Sequence, residues 1–68
     1  MLALRKEKHE WFKEFYVGEN GNKKISCILD DNCVRYMVFY GGKLKSRREF
    51  SNIKKETCFK NATNVLNK

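Results

Sequence analysis

The chain has too few metal-binding side chains for a structural zinc site. His9 is its only histidine, and its three cysteines, Cys27, Cys33 and Cys58, include no CxxC pair. A zinc site needs about four ligands at close spacing. We therefore predict no metal ion and no other cofactor, and we interpret the cysteines as reduced, small apolar residues. One disulfide, within the chain or between chains, is the alternative.

The sequence also lacks a membrane-spanning or secretory segment. No apolar run approaches the ~20 residues that a transmembrane helix needs, and the first residues lack the apolar stretch of a signal peptide. These absences predict an intracellular protein that does not associate with membranes. Asn61-Ala62-Thr63 matches a glycosylation sequon. Such short matches often arise by chance, and without a secretory signal we do not expect modification there.

The residue patterns typical of catalytic sites are missing as well. The sequence shows no carboxylate pair, no nucleophile–base pair and no glycine-rich phosphate loop. Asp30 and Asp31 precede Asn32 and fit a turn, and His9 lies in a charged surface segment. We therefore predict that the protein is not an enzyme.

The positive charge of the chain is unevenly distributed. Its 68 residues leave room for one small domain, and the formal net charge is +7. Residues 1–20 hold four basic and four acidic residues, whereas residues 21–68 hold eleven basic and four acidic ones. This pattern predicts a single nucleic-acid-binding domain over 1–68, with 1–20 as a charge-neutral N-terminal extension. The excess charge favours a polyanionic partner.

The apolar pattern predicts three strands and a C-terminal helix. Alternating or continuous apolar residues indicate strands at 24–29 and 34–40, and Gly41-Gly42 fits a hairpin turn into a third, basic strand at 44–50. Ser51 or Asn52 can then cap a helix. The apolar stripe of that helix consists of Cys58, Phe59, Ala62, Val65 and Leu66.

The N-terminal segment carries two competing patterns. Mixed charges over 5–14 suit a helix, whereas residues 11–17 are rich in strand formers. We predict a short helix to about residue 13, then an extended piece and a loop at 18–22. The expected fold is α+β: a three-stranded antiparallel sheet with a C-terminal helix packed on one face and a short N-terminal helix. The other face is predicted to stay open and to carry the basic side chains.

The densest charge lies in the third predicted strand. Residues 43–48, KLKSRR, hold four positive charges and no negative one. A narrow sheet can enter the major groove of B-DNA, about 12 Å wide, where the arginine fork suits guanine or phosphate. Tyr36 and Tyr40 would contact the duplex if they project from the open face, and strand packing is the alternative. Basic residues also protect an edge strand from aggregation.

Residues 33–66 resemble the Apetala-two DNA-binding domain, especially its apicomplexan branch. The shared features are the FYGGK turn, the basic strand that ends at Phe50-Ser51, the Lys54-Lys55 pair, and Cys58-Phe59 with Ala62 in the helix. The N-terminal arm-binding domains of tyrosine recombinases are similar in part. The resemblance implies three antiparallel strands with a helix, a transcription regulator or recombinase that binds duplex DNA, and a nuclear location.

The resemblance also implies which side chains contact DNA. Lys45 and Arg47 would carry the contacts with help from Lys43 and Arg48, and Lys24 is among the nearest matches to the basic first-strand residues of the family. With the two tyrosines, the candidate nucleic-acid-binding residues are Lys24, Tyr36, Tyr40, Lys43, Lys45, Arg47 and Arg48. Periodicity leaves open which side of the third strand faces outward, since Leu44, Ser46 and Arg48 are the other possible set.

Two other functions stay open on the sequence. The order helix, three strands, helix is also that of a double-stranded RNA-binding domain, and residues 54–66 resemble the last helix of that family. Alternatively, the domain is a protein-interaction or self-associating module with a basic solubilising face. Duplex DNA is the predicted partner, and duplex RNA and self-association are the alternatives.

Overall fold

Five antiparallel strands and one long helix form the fold. The computed structural model describes residues 1–68, with β1 at Arg5–Glu7, β2 at Phe15–Asn20, β3 at Lys23–Asp30, β4 at Cys33–Tyr40 and β5 at Lys43–Phe50. A 3-10 turn, Asn52–Lys54, leads into helix α1, Lys55–Leu66. Consecutive strands are neighbours, so the sheet is a meander with β1 and β5 at its edges. No helix is long and apolar enough to cross a membrane.

The sequence located part of this architecture correctly. The α+β class, the antiparallel sheet and the C-terminal helix are confirmed, and β3, β4 and β5 lie where three strands were predicted. The count of three strands is wrong, because β1 and β2 extend the sheet to five. Two-residue turns join the strands from β2 to β5, and Gly41 and Gly42 adopt positive φ values of 57° and 84° in the last of them.

The predicted N-terminal helix is wrong. Arg5–Glu7 pairs with residues 15–17 of β2, and residues 8–14 form no helix. Leu4 is buried in the core, while the Arg5 side chain donates hydrogen bonds to Glu7 and Glu19. Leu4 burial and cross-strand contacts therefore outweigh the weak helix preference of the mixed charges.

Gly18 lies inside β2 rather than in the predicted loop. The turn into β3 contains only Gly21 and Asn22. A Cβ atom added at Gly18 would lie 2.6 Å from a side-chain carbon of Leu66 and 2.8 Å from one of Leu4. Such distances are too short for a real contact, so glycine here allows the helix to approach the sheet closely.

One side of the sheet packs against α1, and we call it the helix side. Ile25, Cys27 and Leu29 of β3 lie there, as their alternation predicted. The core cluster consists of Leu4, Ile25, Cys27, Leu29, Val34, Tyr36, Val38, Cys58, Ala62 and Leu66. Phe59 and Val65 of the predicted helix stripe are only partly buried and pack at the margin of this core.

Polar contacts hold both ends of α1 to the sheet. At the C-terminal end, Lys23 Nζ donates hydrogen bonds to the carbonyl oxygens of Val65 (2.6 Å) and Lys68 (3.0 Å). The last carbonyls of a helix have no partner within it, and a positive charge is favourable there. At the other end, Lys55 Nζ lies 2.5 Å from a carboxylate oxygen of Asp31 in the β3–β4 turn.

Candidate nucleic-acid interface

The side of the sheet opposite α1 is balanced in charge, and we call it the balanced side. Residues paired across neighbouring strands share a side, so the register assigns each charged strand residue. The basic residues there are Arg5, Lys24, Arg35 and Arg47, and the acidic ones are Glu7, Glu19, Asp30 and Glu49. The prediction that this side carries the excess of basic side chains is therefore wrong.

Ion pairs on the balanced side occupy most of its basic groups. The Arg5 guanidinium lies 3.1 Å from Glu19 and 2.8 Å from Glu7, and the hydrogen bonds to these two carboxylates raise the pKa of Arg5. At the other edge, Glu49 lies 3.9 Å from Arg47 and 4.0 Å from Arg35. A phosphate group binding here would compete with these carboxylates.

The balanced side is also partly covered. Ile28 is only 1% exposed, and Val17 and Ser26 are buried as well. The His9 ring, from the segment between β1 and β2, has its centroid 4.6 Å from that of Phe15. This side is therefore not the open surface that the sequence predicted.

The structure divides the predicted site residues between surfaces. Lys24 and Arg47 lie on the balanced side, whereas Tyr36, Tyr40, Lys43 and Arg48 lie on the helix side, as their register partners show. Lys45 has no partner on β4, because a bulge interrupts the register between Val38 and Phe39. These residues do not share one face of the sheet.

The two tyrosines differ in exposure. Tyr36 is 7% exposed and belongs to the core cluster, so the packing alternative is the correct one for its ring. Tyr40, near the end of the hairpin, is 46% exposed. Of the two tyrosines, therefore, only Tyr40 is largely accessible to a partner.

Strand β5 is the exposed edge that joins several of the basic residues. It pairs with β4 alone, and every residue from Lys43 to Glu49 is exposed. We define the basic edge as Lys43, Lys45 and Arg48, the three basic residues of β5 outside the balanced side. None of them belongs to any of the five ion pairs of the chain. Because the balanced side is neutral, the whole excess of +7 lies elsewhere, and the basic edge is part of it.

A cavity between β5 and α1 was missed by the sequence analysis. It measures about 470 Å³, and we call it the β5–α1 groove. Its lining residues are Tyr36, Arg48, Asn61, Asn64, Val65 and Lys68. The helical members recur at a spacing of three or four, which indicates one helix flank. That spacing is the signal in the sequence that could have indicated the groove.

Arg48 connects the basic edge to this groove. Its guanidinium carbon lies 5.3 Å from the centre of the Phe50 ring, within the range of a cation–π contact. Phe50 in turn lies 6.1 Å from Tyr36, centroid to centroid, at the margin of the core. The contact with Phe50 favours a defined position for Arg48 without neutralising its charge.

The lysine pair at the start of α1 is not equally available. The hydrogen bond and charge attraction between Lys55 and Asp31 raise the pKa of Lys55 and lower that of Asp31. Lys54, beside it, is exposed and unpaired. Only one lysine of the predicted pair is therefore free to bind a phosphate.

No family model, no curated protein and no solved structure matches the chain. Function is therefore inferred from charge and geometry.

Proposed function

We propose that this domain binds duplex nucleic acid, with DNA as the first candidate, through edge strand β5 and the turn before it. The observation that carries the proposal is the separation of charge. One side of the sheet is neutral and internally paired, whereas Lys43, Lys45 and Arg48 project from an exposed edge without acidic partners. Free basic groups along an edge suit a row of phosphates.

The shape of the β4–β5 hairpin supports this mode of binding. Two paired strands lie about 4.8 Å apart, so such a ribbon fits the major groove, which is about 12 Å wide. Lys43 follows the Gly41-Gly42 turn directly, and exposed Tyr40 precedes it. In this arrangement the hairpin enters edge first, and the balanced side faces away from the duplex.

The Apetala-two resemblance fits this proposal in part. The order of β3, β4, β5 and α1 is that of its three strands and helix. Fewer residues are available for DNA contacts than the resemblance implies, because Arg47 is beside Glu49 and Tyr36 is buried. Lys43, Lys45 and Arg48 remain as the proposed DNA contacts, with Tyr40 beside them.

A pair of double variants tests the proposal. Lys43→Ala with Lys45→Ala removes two charges from the basic edge, and Lys6→Ala with Lys8→Ala removes two from the region of the opposite edge. The edges are about 19 Å apart across four strand spacings. If both β5 lysines contact phosphate, the slope of log K against log salt becomes less negative by about 1.8 for the first variant. The slope for the second stays near that of the unmodified domain.

The same titration distinguishes the partner classes. Equal losses for the two double variants would mean diffuse attraction, and absence of duplex binding at low salt would reject the proposal. A matched RNA duplex is the second ligand, and preference for RNA would favour the double-stranded RNA-binding function. Exposed strand edges also pair with other proteins, but the like charges of β5 oppose pairing with a second copy.

A further inference from the structure

We propose that the β5–α1 groove is a binding site for a phosphate group, with Arg48 as its main ligand-binding residue. This inference rests on the proposed function where the phosphate belongs to a nucleic-acid strand. The groove is distinct from the tip of the hairpin, where Lys43 and Lys45 lie. It would therefore add a localised site to an otherwise distributed basic edge.

The lining of the groove selects for anions. Arg48 and Lys68 contribute positively charged side chains, and no acidic side chain is among the lining residues. The volume of about 470 Å³ is in the range of small-ligand sites. Sites of this size are usually lined by apolar side chains, whereas here four of the six lining residues are asparagine, arginine or lysine. The composition thus favours a charged, hydrogen-bonding ligand over an apolar one.

The donors in the groove are not used by the protein itself. The asparagines that donate hydrogen bonds from their side-chain amides are Asn20 and Asn67. The side-chain amides of Asn61 and Asn64 donate to no other group of the protein and are therefore free to bind a ligand. Arg48 forms no ion pair. Its guanidinium is held near the Phe50 ring, which reduces the conformational freedom lost on binding.

A phosphate group matches this set of donors best. Its oxygens accept several hydrogen bonds at once, and the planar arginine fork binds two of them. Amide NH₂ groups at Asn61 and Asn64 can donate to the remaining oxygens. The phosphate can come from the backbone of a bound strand or from a free phosphate ion, and these two sources share the same chemistry.

Adjacent arginines on β5 provide a matched test. Arg48 lies on the helix side and lines the groove, whereas Arg47 lies on the balanced side beside Glu49. Inorganic phosphate is titrated against chloride at equal ionic strength while ¹⁵N spectra record the side-chain amides of Asn61 and Asn64. We expect saturable shifts of both amides. Arg48→Ala should weaken phosphate binding about tenfold or more, since charge-assisted hydrogen bonds are lost, and Arg47→Ala should change it less than about twofold.

A second variant keeps the inference testable if Arg48→Ala perturbs folding. Asn61→Asp places a carboxylate in the groove and should abolish the saturable shift of the remaining Asn64 side-chain amide, with the backbone spectrum otherwise preserved. The proposal is overturned if phosphate shifts all basic regions without saturation, or if Arg47→Ala is as harmful as Arg48→Ala.

Duplex DNA as a second ligand separates this inference from the proposed function. If Arg48→Ala weakens both phosphate and duplex binding, the groove holds a backbone phosphate. If it weakens phosphate binding alone, the groove holds a free phosphate. Duplex binding that persists in a protein with no phosphate site would reject the groove and leave the proposed function standing. Saturable phosphate binding without duplex binding would reject the proposed function and leave the groove standing as a phosphate site.

Discussion

Lys23 is a buried charged residue with a structural role. It is 7% exposed, and its ammonium group donates to the main-chain oxygens of Val65, in the last turn of α1, and of Lys68, just beyond it. Neighbouring Lys24 lies on the balanced side and is exposed. Two adjacent lysines in one strand therefore have different environments, and net charge alone overstates the number of lysines available to a partner.

Replacing Lys23 by Met should destabilise the domain by about 1.5–3 kcal/mol, because hydrogen bonds from a charged group are lost and helix carbonyls lose their partners. Met keeps most of the apolar volume. Urea unfolding measures the change, and Lys24→Met is the control, with an expected effect within about 0.5 kcal/mol. A stable Lys23→Met domain would show that apolar burial compensates for the missing contacts.

The side of β5 that each residue faces could not be obtained from the sequence. As an edge strand, β5 is exposed on both sides, so no apolar alternation marks the inner one. The bulge near Lys45 then shifts the alternation, and Leu44 and Arg47 share a side although they are three residues apart. The KLKSRR run shows where along the chain the positive charge is concentrated. Only the strand register shows which side of the sheet each charged side chain faces.

At the level of elements, strong local sequence patterns were sufficient to predict β3, β4, β5 and α1. The apolar run of β4 and the stripe of α1 are long and regular. Strand β1 has three residues, all exposed, and is ordered by its pairing with β2. The groove depends on where α1 lies across the sheet, which Gly18 and Lys23 help to fix. Such tertiary contacts have no signature in a short stretch of sequence.

The thiol contact between β3 and α1 gives a prediction about their packing. The Sγ atoms of Cys27 and Cys58 lie 4.0 Å apart in the core, and the hydrogen bond to Cys58 together with burial raises the pKa of the Cys27 thiol. Cys33 is only partly buried. Because Cys27 and Cys58 are both fully buried, a thiol reagent should label Cys33 first and the two buried thiols only as the domain opens.

Cys33→Ser is the control for this labelling, and it should remove the fast phase while leaving the slow one. Addition of urea should convert the slow phase into a fast one, since the thiols become accessible on unfolding. Three thiols that react at one rate in the native domain would contradict tight packing of α1 on β3.

At the scale of the whole molecule, charge separates by surface rather than only by position along the chain. The sequence shows an excess of positive charge beyond residue 20. Pairing across strands, however, brings acidic and basic residues from both 1–20 and 21–68 onto the balanced side. The basic edge and the β5–α1 groove are left with unpaired cations. Binding by the basic edge, with the balanced side turned away from the duplex, is the mode that we propose from this arrangement.

The most direct measurement is a ¹⁵N titration of the domain with a short DNA duplex, in which perturbed signals locate the contact surface. The account predicts that the largest shifts fall on residues 40–48 and on the α1 flank at Asn61 and Asn64. Signals of β1 and β2, including Arg5 and Glu19, should move little. Largest shifts on the balanced side, centred on Arg5, Lys24 and Arg47, would contradict it.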